Sequence, residues 1–189
     1  MKIPIEVSVR HIHLCRKDLE KLFGKGYQLK KLRELTQPGQ FAAKETVTLK
    51  KGRREIKNVR VVGPLRTKTQ VELCLTDAIF LNIEAPLRKS GNLKGTPGIS
   101  ILGPKGDLKL KEGVICPWRH IHLSKKEAEK LNLKEGDLVQ VRVKGKRGVV
   151  FDKVMIRVAS DFKISLHLDT DEGNACGIIK RGQGELIIP

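Results

Sequence analysis

The pentapeptide RHIHL stands at residues 10–14 and again at 119–123. Each copy follows a short apolar stretch, PIEVSV in the first and GVICPW in the second. The likeness continues beyond it: RHIHLCRKDLEKLFGKGYQL compares with RHIHLSKKEAEKLNLKEGDLV. Both read as a strand, a cap, a short helix and a glycine. In the second copy Ser124 and Glu127 form the S-x-x-E capping box that opens a helix. In the first, Asp18 holds the matching position and Cys15 replaces the capping serine. A chain that repeats such a unit after 109 residues (120 minus 11) is expected to fold as two related structural units.

Most of the remainder alternates apolar and polar residues with period two, as half-buried strands do. ETVTLKK-GR-REIKNVRVV reads as a hairpin, GISILGPKGDLKLKEGVI as a second turning at Gly-Pro-Lys-Gly, and DLVQVRVKGKRGVVFDKVMIRV as a third turning near Gly145. Helices are expected only over 16–23, 76–81 and 125–131. QPGQFAAKE (37–45) has no clear period and is expected as a loop. Short strands with Gly and Pro turns and few helices predict a mainly β fold with short helices. Its expected form is two small β-barrels related by an internal structural repeat.

The length, 189 residues, suffices for one sizeable domain or two small ones with real cores. With 39% hydrophobic and 31% charged residues, the chain reads as soluble and folded rather than disordered. No apolar run approaches the ~20 residues of a membrane helix. MKIPIEVSV enters a strand pattern with no signal-peptide or presequence features, so a cytoplasmic protein is expected. Cys15, Cys74, Cys116 and Cys176 are scattered without a CxxC pair, which excludes a zinc ribbon or thioredoxin motif. Reduced, mostly buried thiols are expected. The net charge of +17 points to an anionic partner or a lysine-rich surface. The lysines spread from Lys2 to Lys180, and aromatics are only 4%, which gives little for base stacking. Lys and Glu enrichment also occurs in proteins of hot-living organisms. A small polyanionic ligand would benefit from the same field.

Four of the five histidines sit in the two pentapeptides. Residues i and i+2 of a strand share a face, so His11 points with His13 and His120 with His122. Two imidazoles on one strand face can chelate a borderline metal such as zinc; the alternative is imidazoles satisfied by backbone or carboxylate partners. Each pair needs further donors. His167, in SLHLDTDEGNA, could complete a three-histidine set with either pair. Glu72, in PLRTKTQVEL and close to Arg66, is a candidate carboxylate. Asp169, Asp171 and Glu172 compete with it, unless they simply form a charged turn.

VSVRHIHL, LTQPGQFAAKETVTL, NVRVVGPLRTKTQVEL, GTPGISILGPKG, LKEGVICPWRHIHL, GVVFDKVMIRV and LHLDTDEGNA together span nearly the whole chain. In these motifs it resembles the PduL-type phosphotransacylases (phosphate propanoyltransferases). The resemblance implies two β-barrels, 1–9 with 118–189 and 10–117, and an active site at their interface. It implies two metal ions, normally zinc: one held by His11, His13 and Glu72, the other by His120, His122 and His167. Arg66 matches the family's phosphate-binding arginine. Ser8, Arg33, Arg60, His167 and Asn174 match positions lining a coenzyme A pocket, with Arg33 where lysine is more usual. The implied reaction converts acyl-CoA (acetyl or propanoyl) and phosphate to acyl phosphate and CoA, in a homodimer without nucleic-acid or membrane partners. Nine residues precede Arg10 and the first strand uses them, so no microcompartment-targeting extension is expected.

The chain departs from the family at Cys15, where serine is usual, and at Cys116, Pro117 and Trp118, where small residues are usual. Cys74 follows Glu72 by two and would share its face on a regular strand. Either these changes put an extra thiolate near the metals or they are neutral packing changes; the neutral reading is the expectation. Two rival classes stand beside the resemblance: a zinc-dependent thioester hydrolase and a basic nucleic-acid-binding barrel.

Overall fold

The computed structural model describes residues 1–188. The chain opens with β1 (Lys2–Ser8), the short β2 (His11–His13) and helix α1 (Arg16–Phe23). β3 (Lys31–Glu34) precedes a long hairpin of β4 (Phe41–Lys51) and β5 (Arg54–Gly63). Next come β6 (Gln70–Glu72), α2 (Leu75–Leu81), β7 (Leu87–Arg88), the hairpin β8 (Ser100–Leu102) and β9 (Asp107–Lys109), and β10 (Val114–Pro117). The second copy runs β11 (His120–Leu123), α3 (Lys125–Lys130), the hairpin β12 (Leu138–Val143) and β13 (Val149–Val158), β14 (Ser165–Asp169), α4 (Thr170–Cys176) and β15 (Arg181–Ile187). None of these helices is long and apolar enough to cross a membrane.

Two compact units result: a terminal unit of Met1–Val9 with the chain from Trp118 onward, and a central unit of Arg10–Pro117. In the terminal unit six strands close a barrel in the order β1-β14-β11-β13-β12-β15, with β15 pairing back on β1. Ile3, Ile5, Ile121, Val141, Ile156 and Leu166 fill it and are almost wholly excluded from water. Burial of each such side chain contributes about 1.5–3 kcal/mol. The central unit is one sheet in the order β7-β10-β6-β2-β5-β4-β8-β9, with β3 on β4. It is barrel-like but open, and its core gathers Ile12, Leu14, Leu49, Val61, Val71 and Ile101 with Leu19 and Leu22 of α1.

The three hairpins form as their alternation predicts. QPGQFAAKE is only half a loop: Gln37–Gln40 turn, and β4 begins at Phe41. α4, where a charged turn was one reading of Asp169–Glu172, is a helix with a complete capping box. Asp169 Oδ1 accepts from the Glu172 N–H at 2.9 Å and Glu172 Oε2 from the Asp169 N–H at 3.0 Å. D-x-x-E is the same signal as S-x-x-E and was readable in the sequence.

The repeat extends into the backbone. β2 runs parallel to β5 and antiparallel to β6; β11 runs parallel to β13 and antiparallel to β14. Each parallel neighbour carries a left-handed residue two positions before the one beside the first histidine. These are Asn58 (φ 58°) ahead of Arg60, beside His11, and Lys153 (φ 50°) ahead of Met155, beside His120. The kink at Lys153 turns two carbonyls to use: Lys153 O accepts from Trp118 Nε1 at 2.7 Å and Asp152 O from Arg119 Nε at 2.9 Å. The strand ahead of each RHIHL pairs into the opposite unit's set: β1 lies parallel to β14, and β10 parallel to β6. That exchange makes the terminal unit discontinuous in sequence.

The helix caps differ between the copies. Ser124 caps α3 through its side chain and Glu127 returns the bond. Cys15 gives α1 no side-chain bond. Instead Thr69, 3% exposed, stands between: its Oγ1 accepts from the Cys15 N–H at 3.1 Å and its hydroxyl donates to Asp18 Oδ2 at 2.6 Å. Aspartate is one methylene shorter than glutamate, and the threonine hydroxyl spans the difference.

Two stability predictions follow from this geometry. Thr69→Val keeps the shape but leaves the Cys15 N–H and an Asp18 oxygen unpaired, so it is expected to lower unfolding free energy by about 1–3 kcal/mol in denaturant titration. Lys153→Asn relieves a lysine from a conformation that costs L-residues about 1–2 kcal/mol and that asparagine tolerates. It is expected to raise Tm by about 1–4 °C, with Asn58 at the equivalent position as the internal precedent.

Candidate functional site

Strand register assembles two donor groups. In the central unit, Glu72 on β6 lies directly beside His11 on β2. His11 Nε2 is 3.4 Å from Glu72 Oε2, and His13 Nε2 is 3.8 Å from Glu72 Oε1. In the terminal unit, His167 on β14 occupies the equivalent place beside His120 on β11. Its ring centroid lies 5.3 Å from that of His120 and 4.7 Å from that of His122. Within each group the donor atoms all lie within 4.8 Å of one another. The third donor, left open between His167 and several carboxylates by the residues alone, is Glu72 for the first pair and His167 for the second.

Both groups suit a divalent cation. A carbonyl only accepts, so His13 donates Nδ1–H to Val62 O at 3.1 Å and His120 donates Nδ1–H to Trp118 O at 2.8 Å. Each ring's lone pair then resides on Nε2 when it is neutral. This is the arrangement that backbone carbonyls impose on metal-ligating imidazoles. His122, 4% exposed, has a buried Nδ1 with no hydrogen-bond partner among the described residues. A buried ring nitrogen without a partner is unfavourable unless something else engages it, and a cation would.

Electrostatics keep the donors in ligating form. Burial, then the neighbouring His11 and Arg66, push His13 down to about 3, against the pull of Glu72 and the Val62 carbonyl. Burial, with His120, His167 and Arg157, holds His122 far below the usual histidine range. Both imidazoles are therefore neutral at pH 7. Burial alone would raise the Glu72 carboxyl, but His11, His13, Arg66 and a bond from Ser90 outweigh it and bring it to about 2. Glu72 is thus an ionised carboxylate with 8% of its surface exposed.

Arg66 follows β5 in the chain, its backbone N–H bonded to Leu14 O at 2.9 Å. Its Nη1 donates to Ser90 Oγ at 2.9 Å and lies 3.9 Å from Glu72 Oε1. The Ser90 hydroxyl donates to Glu72 Oε1 at 2.9 Å and accepts from Gln70 Nε2 at 2.8 Å. Gln70 Oε1 in turn accepts from the Gly91 N–H at 2.8 Å, which fixes the Ser90 turn. Ser90 and Gln70 were not foreseen. Gln70 alternates into β6 without distinction, and Ser90 lies in a turn that carries no motif.

The remaining candidates scatter more widely. Ser8 ends β1, with Oγ 3.4 Å from His167 Nδ1, and Asn174 is exposed on α4. Arg33, exposed on β3, and Arg60 on β5 lie on opposite edges of β4, paired with Ala42 and Thr46. Arg60 Nη1 donates to the carbonyls of Ala43 at 3.1 Å and Lys44 at 2.7 Å. Asp169 and Glu172 serve the α4 cap, and Glu172 also accepts from Arg119, so neither joins a donor group. Cys74 lies beyond the end of β6, at the N-cap of α2, and belongs to neither donor group. No disulfide joins any of the four cysteines, and none belongs to either donor group.

Comparison with known proteins identifies the family. The family described as phosphate propanoyltransferase matches residues 4–179. The phosphate propanoyltransferase of Thermotoga maritima is 53% identical over 174 residues, 92% of this chain and 83% of that protein. Those of Salmonella typhimurium (51% over 176 residues, 93% and 83%) and Clostridioides difficile (47% over 185 residues, 98% and 88%) are similarly close. A match that spans both donor groups and Arg66 at such identity leaves one assignment: this chain belongs to the phosphate propanoyltransferase family, a family of phosphate acyltransferases.

Proposed function

We propose that the chain catalyses reversible transfer of an acyl group, propanoyl or acetyl, between coenzyme A and phosphate, assisted by two divalent ions, zinc first among the candidates. The observation that carries this reading is Arg66 held by Ser90 against the His11–His13–Glu72 group. A phosphate oxygen attacks the thioester carbonyl carbon, the C–S bond breaks, and acyl phosphate and the CoA thiolate result. The reverse reaction retraces that path, with no acyl-enzyme.

The chain's residues have separable tasks. Phosphate is a strongly hydrated, weak nucleophile. Arg66, one-third exposed and oriented by Ser90, offers a permanently charged planar fork to bind and align it. His11, His13 and Glu72 would hold one ion, and His120, His122 and His167 the other. Such an ion supplies Lewis-acid charge at the carbonyl oxygen and stabilises a thiolate without redox chemistry. With His13 neutral and Glu72 ionised, the first donor set offsets part of a divalent charge. The three histidines of the second offset none, so the second ion would be the more electrophilic. Ser8, His167 and Asn174, with Arg33 and Arg60, are the proposed coenzyme A contacts, the arginines toward its phosphates. The net charge of +17 favours such an anionic substrate.

The test is CoA release from propanoyl-CoA and acetyl-CoA, with and without phosphate, before and after chelation. Release that requires both phosphate and metal is expected. Release without phosphate supports a thioester hydrolase and defeats the proposal, as does full activity after exhaustive chelation. Arg66→Ala is expected to retain its metal and lose about 10²-fold in rate, roughly 3 kcal/mol. His11→Ala is expected to lose one metal and all activity, and His120→Ala to lose the other metal, by metal analysis of each purified variant.

A further inference from the structure

Two ion pairs outside the donor groups repeat as faithfully as the histidines. Arg10 Nη1 donates to Asp77 Oδ1 at 2.7 Å, and Arg119 Nη1 donates to Glu172 Oε1 at 2.7 Å. In each copy the arginine immediately precedes the first histidine. In each copy the acid lies five residues beyond the third donor: Glu72 to Asp77, and His167 to Glu172. Both acids sit in the first turn of the helix that follows the third-donor strand. Each pair therefore closes a ring through one H-x-H strand, the cross-strand neighbours, the third-donor strand and the helix start.

Stability alone is a weak reason for such pairs, since burying a carboxylate costs much of what the pairing returns. Asp77 is 7% exposed, and its Oδ2 is buried without a partner among the described residues. The registry they impose is the stronger reason. β2 is three residues long and β11 four, so few ladder bonds hold either in place. A slip of one residue would set Ile12 or Ile121 beside the third donor and turn the imidazoles to the other face. An arginine paired with an acid five residues past that donor keeps that pairing in the observed register and loses it on a slip.

We propose that Arg10–Asp77 and Arg119–Glu172 are positioning struts, each clamping its H-x-H strand to the strand of the third donor and so setting the metal affinity of its own group. The inference rests on the metal reading above and adds residues outside both donor groups. Loss of an outer-shell partner commonly weakens metal binding 10–100-fold.

The test is zinc competition with a chelator of known affinity on the full chain. His120→Ala isolates the first group and His11→Ala the second. Arg10→Gln is expected to weaken zinc about tenfold or more at the first group and leave the second unchanged; Arg119→Gln should do the reverse. Arg10→Lys, which keeps the charge, is expected to recover most of the loss and also serves if Arg10→Gln does not fold. Unchanged zinc affinity at a variant's own group overturns the proposal, and so does an equal fall at both groups, which would mean general loosening. If the unmutated chain binds no zinc, the metal reading fails and the struts are judged by structure: a crystal structure of Arg10→Gln with the His11–Glu72 approach still at 3.4 Å overturns them.

Discussion

Two imidazoles on one strand face supply two lone pairs, and a useful site needs a third donor that the same strand cannot provide. Here that donor comes from the antiparallel neighbour, and register selects it: Glu72 beside His11, His167 beside His120. Much of the surrounding structure maintains this alignment. The parallel strand on the other side of each pair carries the left-handed residue that kinks the ladder near the first histidine. The carbonyls of Val62 and Trp118 fix the tautomers of His13 and His120. The apolar residues between the histidines, Ile12 and Ile121, are fully buried and anchor each strand to its core.

Burial then decides the charges. Removing an imidazole from water disfavours its cation, so His13 and His122 stay neutral and ligating. Removing a carboxylate disfavours its anion, yet Glu72 stays ionised because the adjacent imidazoles, Arg66 and the Ser90 hydroxyl stabilise it more than burial destabilises it. Arg66 and Glu72 support one another: their charges lie 3.9 Å apart, and the guanidinium adds to His11 and His13 in holding the carboxyl low. Ser90 joins them through one hydroxyl that donates to one and accepts from the other.

The internal repeat is a repeat of geometry more than of residues. Third donors differ, glutamate in one copy and histidine in the other. Acids of the flanking ion pairs differ, aspartate and glutamate. Caps differ too, a serine box on α3 and a threonine relay on α1. Constant features are the strand directions, the left-handed position and the offsets of the paired residues. One of these differences is offset by a neighbour: Thr69 restores the bond that the shorter Asp18 does not make.

The sequence by itself determined the local elements and the pairing of histidines. Period-two alternation marks the hairpins, S-x-x-E marks α3, and the i, i+2 spacing puts His11 with His13 and His120 with His122, because all of these are properties of a few adjacent residues. The same is true of the Asp169–Glu172 box of α4, a local signal present in the chain but hidden among other charges. Which distant residue completes each donor group was legible only through the family likeness. Residue spacing left Glu72, His167 and three acids open, and strand register, a long-range property, resolved them. The exchange of β1 and β10 was likewise implied only by the family likeness, and tertiary structure alone decided that only one sheet closes and that Ser90 and Thr69 bridge groups far away in sequence. Hydrogen bonds between segments tens of residues apart leave no periodic trace in either segment, which is why a turn serine and a buried threonine carried no mark of their roles.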